Sequence, residues 1–569
     1  MTSKNRHHAR QRRFAWLKRL ALLGLMVLVL ITAVRLIWGQ RMHARLDAAI
    51  NDIQSRGEPI RYADLRNEPL TNQDNGAWYL SQALQNWPSV PGQPGVNVHD
   101  TDWYLEGEDA GFTDPITDNP GYLASCEPVF DLIRQGVAQD CSRWFAGPIP
   151  SDFNTFQNVA FNHLGDTRRL ARLMDDAARR AFEADDPARC FDLVRLIGEH
   201  GDQVGSQRLS VIDVLVMVSI HAMTYDYANE HLVRLTDEQV RRPETRAALI
   251  AMRDWLADES TAREHYLQSL IANRWSTHQY LLGLRDGSIP PNKFTGYGFG
   301  RLITDTPGLA FALRPLIDHA HAEALELETD SIGLFITTDN LYDLSDDGGE
   351  PTFEERYEAR PWLYPMFEEM FFSDAVYRTY YRQLATRRMT AAAIAIRLYQ
   401  ADQGTRPGSL NQLVPEYLAK VPMDPYVGDR AIGYRPLGVV PKTQYEAGRE
   451  YSQPVSDEVR AKLPRDPIPM LYCVGIDFDD NGGLLVIDER DGTLYDHRWG
   501  DVGEDHWLLL VPELEPAQEL IDLDNRAYEL QFDDDAWADP SDRGEDEVEE
   551  QRDAWQNPED QEPQPEPGD

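Results

Sequence analysis

The sequence predicts a mainly α-helical protein of irregular helical hairpins, with a single N-terminal transmembrane helix and a small C-terminal α+β module. Three observations predict it. An apolar run lies near the start, helical periodicity dominates residues 41–342, and short strand-like segments between breakers follow residue 404. Taken in order, each segment gives its own reason.

Residues 1–19 form a basic head with Lys4, Arg6, Arg10, Arg12, Arg13, Lys18 and Arg19 and no acid. Residues 20–34 (LALLGLMVLVLITAV) are apolar, small or Thr, and Leu36, Ile37 and Trp38 extend the run past Arg35. At ~1.5 Å per residue, residues 20–38 reach about 28 Å, close to the hydrocarbon thickness of a bilayer. Arg35 sits where its side chain can snorkel to the headgroups, and Trp38 suits the interface. A cleaved signal peptide is the competing reading, but Arg35, bulky residues and Arg41 follow the run in place of a small-x-small cleavage site. Residues 20–40 are therefore expected to be a permanent anchor in the inner (cytoplasmic) membrane. The basic head should stay in the cytoplasm, with the bulk exported to the periplasm or cell exterior.

The chain has 569 residues with 95 Asp+Glu against 55 Lys+Arg, a formal net charge of -40. Nucleic acid is excluded as an expected partner, because neutralising phosphates takes clustered Lys/Arg. With 42% hydrophobic residues, 13 Trp and 24 Tyr, the chain has material for packed cores. Four cysteines are too few for a disulfide-rich scaffold. Cys126 and Cys141 flank a helix-like stretch, and in an oxidising compartment they are candidates for a disulfide that adds ~2–4 kcal/mol. Cys190 and Cys473 read as small buried hydrophobes.

Residues 41–342 read as one helical-hairpin domain. Residues 160–183, 187–200, 209–228 and 247–273 carry apolar residues at i, i+3, i+4 and i+7. Asp185-Asp186-Pro187 gives a stop and a new first turn, and Gly201-Asp202 is expected to end the second helix. ARRAFEADDPARCFDLV is similar to a tetratricopeptide-type junction, but no fixed period follows, so the hairpins are repeat-like and not an array. Residues 89–120 read as a surface loop and 343–360 as an acidic linker. Aromatics from Trp362 to Tyr381 form a packing stripe. Residues 516–569 form an acidic tail; from Asp533 on, 16 acids face only Arg543 and Arg552, a composition that stays disordered.

Within residues 361–515 a long helix over 381–401 ends at Asp402-Gln403-Gly404. Ser409-Leu410, Leu413-Val414, Asp424-Pro425-Tyr426 and a strand from Tyr434 follow. A second strand, LYCVGID, then runs into Asp479-Asp480-Asn481-Gly482-Gly483. This order resembles the C-terminal half of the major (G-type) pseudopilin of type II secretion systems: a long helix, a leucine-rich turn, a D-P-W/Y motif, and a strand entering a glycine-rich loop. Residues 377–490 carry the resemblance. The chain departs from that family in lacking a prepilin leader and in spacing anchor and matching helix about 340 residues apart. It also places Arg382, Arg387 and Arg388 on the helix and inserts residues 441–467. A borrowed module is implied, not a filament subunit. The whole layout also resembles that of bacterial membrane-anchored proteins that set an N-D/N-A-like helix start, here Asn75-Gly76-Ala77-Trp78, and helical hairpins ahead of this ending.

The resemblance implies Ca²⁺ at the glycine-rich loop, and the residues support it independently. Asp477, Asp479 and Asn481 fall at positions 1, 3 and 5 of a D-x-D-x-N-G pattern, Gly482 supplies the turn, and Asp488 falls at position 12. The competing reading is an acidic hairpin turn.

No G-x-S-x-G, Walker, H-E-x-x-H or C-x-x-C motif nominates an enzyme. Gly296-Tyr297-Gly298-Phe299-Gly300 reads as a flexible loop. His319, His321 and Glu323 read as a solvated or capping cluster, Glu199-His200 and Glu264-His265 as helix-surface residues, and His221 as a satisfied core histidine. The leading expectation is a non-catalytic, membrane-anchored interaction protein with protein partners. A part of a secretion or pilus-like apparatus, or an envelope hydrolase with its site between helices, are the alternatives.

Overall fold

The computed structural model describes residues 4–60, 70–88, 120–144, 163–207, 210–286, 309–342, 373–443, 462–463, 466–475, 478, 480, 482–487 and 506–511. The surface loop, the linker, the Gly296–300 segment, most of the aromatic stripe and the acidic tail lie outside these residues. The described part is mostly helical. The chain divides into two compact units. One is Met1–Pro436 with Pro469–Gly483 and Gly500–Pro512; the other is Leu437–Ile468 with Leu484–Trp499 and Glu513–Asp569.

The first helix, α1 (Lys4–Ser55), runs unbroken through the basic head and the apolar run. Its apolar stretch is entirely exposed, as in a membrane anchor or a signal sequence. There follow α2 (Gly76–Gln85), α3 (Pro120–Ser125), α4 (Glu127–Val137), α5 (Leu164–Glu183) and α6 (Pro187–Gly205). Next come α7 (Val211–Arg234), α8 (Asp237–Arg241), α9 (Pro243–Ala257), α10 (Ser260–Asp286), α11 (Leu309–Thr337) and α12 (Ser373–Gln403). The strands are β1 (Gly433–Val439), β2 (Lys442–Thr443), β3 (Ile468–Cys473), β4 (Val486–Ile487) and β5 (His506–Leu509).

Local chemistry explains the boundaries. Asn75 caps α2 by accepting the Ala77 amide at 3.2 Å. Asp185 turns the α5–α6 corner with a φ of 60°, and Asp186 caps α6 through the Arg189 amide at 3.1 Å. Ser210 and Asp213 form a capping box on α7. Gly404, at φ 75°, stops α12.

The expected stop at Gly201-Asp202 is corrected, since α6 continues to Gly205. Its glycines serve packing instead. A Cβ on Gly198 would fall 2.2 Å from Trp255 Cη2, and one on Gly201 would fall 2.7 Å from His221 Cδ2. On Gly205 it would fall 2.4 Å from Met217 Sδ. Bare backbone at this i, i+3, i+7 stripe lets α7 and α9 approach α6 closely. The expected continuous helix over 247–273 is also corrected, because Asp258 and Glu259 separate α9 from α10.

One hydrophobic core takes in α2–α10, the end of α11, α12 and β3. The helices on either side of residues 343–360 share that core, so the expected separation of a 361–515 module from the helical domain is corrected. Cys190 and Cys473 are buried in it as expected. Arg387 explains how an arginine-bearing helix enters it: the guanidinium donates to the Leu256 and Asp258 carbonyls at 2.8 Å each, and to Trp255 O. It thus satisfies the end of α9 while lying 4.5 Å from the Trp255 ring. Arg388 pairs with Glu259 at 2.7 Å.

The small sheet has the order β1-β3-β5, with β3 and β5 antiparallel. In the second unit β2 and β4 pair parallel, Lys442 opposite Val486.

The expected disulfide is corrected as well. Cys126 and Cys141 are both free thiols. Cys126 stands at the start of α4 and Cys141 beyond its end, and eleven helical residues between them span about 16 Å. A disulfide tolerates less than about 7 Å between Cα atoms.

Candidate functional site

The least ordinary chemistry among the described residues lies where α1, α10 and α11 meet. Helix α11 runs parallel to the second half of α1: Gly39 faces Pro315, His43 faces Asp318, and Arg45 faces His319 and Glu326. Helix α10 runs antiparallel to α11, placing Arg285 by Asp318, His278 by His321 and Arg274 by Thr329. The interface is therefore a ladder of polar rungs. A small apolar patch of Leu46, Ile53, Ile60, Ala322 and Leu325 backs it.

The first rung is Arg285 Nε to Asp318 Oδ1 at 2.9 Å, with His43 3.9 Å from the same carboxylate. Burial pushes the Asp318 carboxyl up, and Arg285 and His43 oppose it. The second rung is His278 Nδ1 to His321 Nε2 at 2.8 Å, both rings buried. One ring must donate and the other accept, which suits two neutral imidazoles. Burial, reinforced by His278 and Arg285, holds His321 well below the ordinary histidine range.

Beside it, Arg45 bonds Glu326 Oε1 at 3.0 Å and lies 3.1 Å from His319 Nδ1. On the third rung Arg274, fully buried, donates to Thr329 Oγ1 at 3.0 Å and pairs with Glu58 just beyond α1. Glu328 accepts from Thr277 Oγ1 at 2.8 Å and Asn273 Nδ2 at 2.9 Å. Burial outweighs those bonds and Arg274, raising its carboxyl to about 7.

This arrangement corrects the reading of His319, His321 and Glu323 as a solvated or capping cluster, since His321 and Glu323 are buried. His200 and His265, read as surface residues, are buried too; His200 bonds the Thr167 carbonyl at 2.9 Å, and His265 packs against Gly205. His221 is a core histidine as expected, but only half satisfied: Nε2 lies 3.1 Å from Asp202 Oδ1 and 3.2 Å from Gly198 O, while its buried Nδ1 has no hydrogen-bond partner among the described residues. Burial works to raise the Asp202 carboxyl, but His221, Arg387 and the Trp255 N–H outweigh it and hold it low.

Asp477, Asp479, Asn481 and Asp488, the candidate calcium ligands, lie outside the described residues. Of their neighbours, Asp480 pairs with Arg430 at 2.6 Å and accepts the Gly482 amide at 2.9 Å. Gly482 and Gly483 both take the left-handed conformation of a sharp turn. Among the described residues no group of three or more His, Cys, Asp or Glu could hold a metal ion.

The sequence did hold a signal for the ladder. Arg274, His278 and Arg285 share one face of α10, and Asp318, His321 and Glu328 share one face of α11. Basic groups along one buried stripe answer acidic ones along another. The chain matches no family model, no curated protein and no solved structure.

Proposed function

We propose that the protein is a single-pass, exported interaction scaffold of the bacterial envelope, fixed to the inner membrane by α1 and non-catalytic. One observation carries this reading: α1 passes without a break from an exposed apolar stretch into a half that is packed and ion-paired against α11. Cleavage after the apolar run would have to cut within this continuous helix, beside Gly39, which already lies against Pro315, and no small-x-small site stands there; this supports a retained anchor over a signal peptide.

The pseudopilin-like reading of the segment from α12 to β5 belongs to the same proposal. Helix α12 with its glycine stop, the short helical turn at Leu410–Leu413 and the antiparallel strands support it. So does Asp424 of the D-P-Y motif, buried while accepting the Tyr426 amide at 3.0 Å and the Val474 amide at 2.9 Å. It ties the motif to the end of β3. The flanks of α12 are committed to α7 and α9, which favours a module built into a scaffold over a subunit of a pilus-like apparatus. The described cleft beside Leu232, Ile396, Arg397 and Arg406 holds no carboxylate, so paired-acid hydrolysis draws no support from it. Calcium at Asp477, Asp479, Asn481 and Asp488 is proposed on the sequence pattern alone.

Two experiments test the proposal. Protease added to intact spheroplasts should digest the body and leave a membrane-bound N-terminal fragment; a spared body overturns the topology. Mild crosslinking on intact cells, read by mass spectrometry, should recover specific envelope proteins, and recovery of none overturns the scaffold. For calcium, a chelator should lower the melting temperature of the wild type, but not of a chain carrying Asp477→Ala and Asp479→Ala.

A further inference from the structure

Where the end of α7 meets the last turns of α12, a half-enclosed cleft of about 110 Å³ opens to solvent. Leu232 and Leu235 from α7 and its end, Ile396 of α12 and Leu510 beyond β5 give it an apolar wall. Arg397, Gln400 and Arg406 supply its polar groups, and no acid lines it. Two cations without an acid are the reverse of the chain as a whole, whose net charge is -40.

The arginines at this end of α12 are not alike. Arg397 is mostly covered and committed: it pairs with Asp237 at 2.6 Å and donates to the Leu235 carbonyl. Arg246, nearby but outside the cleft, is held by both oxygens of Asp402 at 2.9 and 2.8 Å. Arg406 is half-buried and donates to the Leu510 carbonyl at 3.1 Å, and no carboxylate pairs with it among the described residues. That bond fixes the side chain at the cleft. A guanidinium carries five N–H donors in a planar fork, so one bond to a carbonyl leaves most of the fork open.

We propose that this cleft binds a short aliphatic carboxylate. The carboxylate takes the open edge of the Arg406 fork, a charge-assisted pairing, with the Gln400 amide beside it. The alkyl part lies against Leu232, Ile396 and Leu510. An engineered apolar cavity of about 150 Å³ takes benzene, so this smaller cleft suits an acid of about four or five carbons. A wholly polar anion would gain nothing from the apolar wall, and a neutral molecule would leave the Arg406 charge unanswered. Bound there, the acid bridges α7, α12 and the segment after β5. The site goes beyond the scaffold reading and does not depend on the membrane anchor.

The test titrates the full-length chain in an uncharged detergent with butanoate, its neutral counterpart butanamide, or sulfate, read by calorimetry and by melting temperature. Empty micelles serve as the blank. The expected result is saturable, equimolar binding of butanoate with a Kd on the order of 1 mM, the affinity open to a ligand of about six heavy atoms. Butanamide and sulfate should bind about tenfold more weakly or worse, and Arg406→Gln should lower butanoate affinity by about tenfold or more. Arg246→Gln should leave it unchanged. Butanamide binding as well as butanoate overturns recognition of the charge, and sulfate binding as well overturns recognition of the alkyl part. No saturable butanoate signal by either readout overturns the site, as does full affinity in Arg406→Gln. Should that variant fail to fold, the comparison of butanoate with butanamide on the wild type decides alone.

Discussion

Around α6 the helices meet through absent side chains. Gly198, Gly201 and Gly205 let Trp255, His221 and Met217 press onto bare backbone, and the polar groups admitted there, Arg387 above all, are spent on carbonyls that a helix end leaves open. Around α1, α10 and α11 the helices meet through long charged side chains, with Arg274, Asp318 and Glu328 buried and Arg285 partly buried between them. The first contact is decided by volume. The second is decided by which protons are in place. A single helical body therefore has one region that tolerates no added methyl, and another that does not tolerate a lost partner.

Removing Arg274 should have the largest effect. Arg274→Met leaves Glu58 and Glu328 without their cation, and breaking a buried pair costs about 3–5 kcal/mol. Chemical denaturation in detergent would read it, and a loss no larger than that of an exposed pair would erase the distinction between the regions. Gly198→Ala comes next, because a Cβ 2.2 Å from Trp255 forces a shift of helix or indole. Overpacking of this kind costs about 1–3 kcal/mol and should be equal at pH 8 and pH 5.5.

The two regions should also answer pH with opposite signs. The Glu328 carboxyl is raised by burial to about 7 from the ordinary glutamate value of 4.5, so the folded chain holds a proton that the unfolded chain releases. Its contribution to wild-type stability falls as pH rises between those values. Glu328→Gln should match wild type near pH 4.5 and exceed it increasingly up to pH 7, by about 1–3 kcal/mol at the plateau. His200 is held down to about 4 by burial, its bond to the Thr167 carbonyl opposing only partly. There the unfolded chain takes the proton first, so stability is lost as pH falls from 6.5 towards 4, at about 1.4 kcal/mol per pH unit. His200→Gln should flatten that slope in melting curves taken across the window. Arg45→Ala should do least: its pair with Glu326 is over a third exposed on both sides, a setting worth about 0–1 kcal/mol.

Which of these features a reader of the sequence meets depends on their range. Caps and stops are local: Asn75, the Asp185-Asp186-Pro187 corner and Gly404 act within a few residues, and the structure places them where the sequence suggests. Gly201 misleads because a stop and a close-packing site share a residue type, and only the neighbour decides between them. The histidines mislead for a related reason. Glu199-His200 and His319–Glu323 look amphipathic in isolation, whereas their burial is set by Thr167, His278 and Arg45, far off in the chain. The Cys126–Cys141 spacing suits a loop but not the rigid helix between them.

The unbroken course of α1 carries a mechanical consequence. From Trp38 to Ser55 it projects about 26 Å beyond the apolar run with no swivel, and the body grips that projection along its length. In the proposed topology, the tilt the span adopts to match a thicker or thinner bilayer would be inherited by everything attached to it. The chain would then work as a stiff pointer, converting the thickness of the lipid layer into the bearing of its surface.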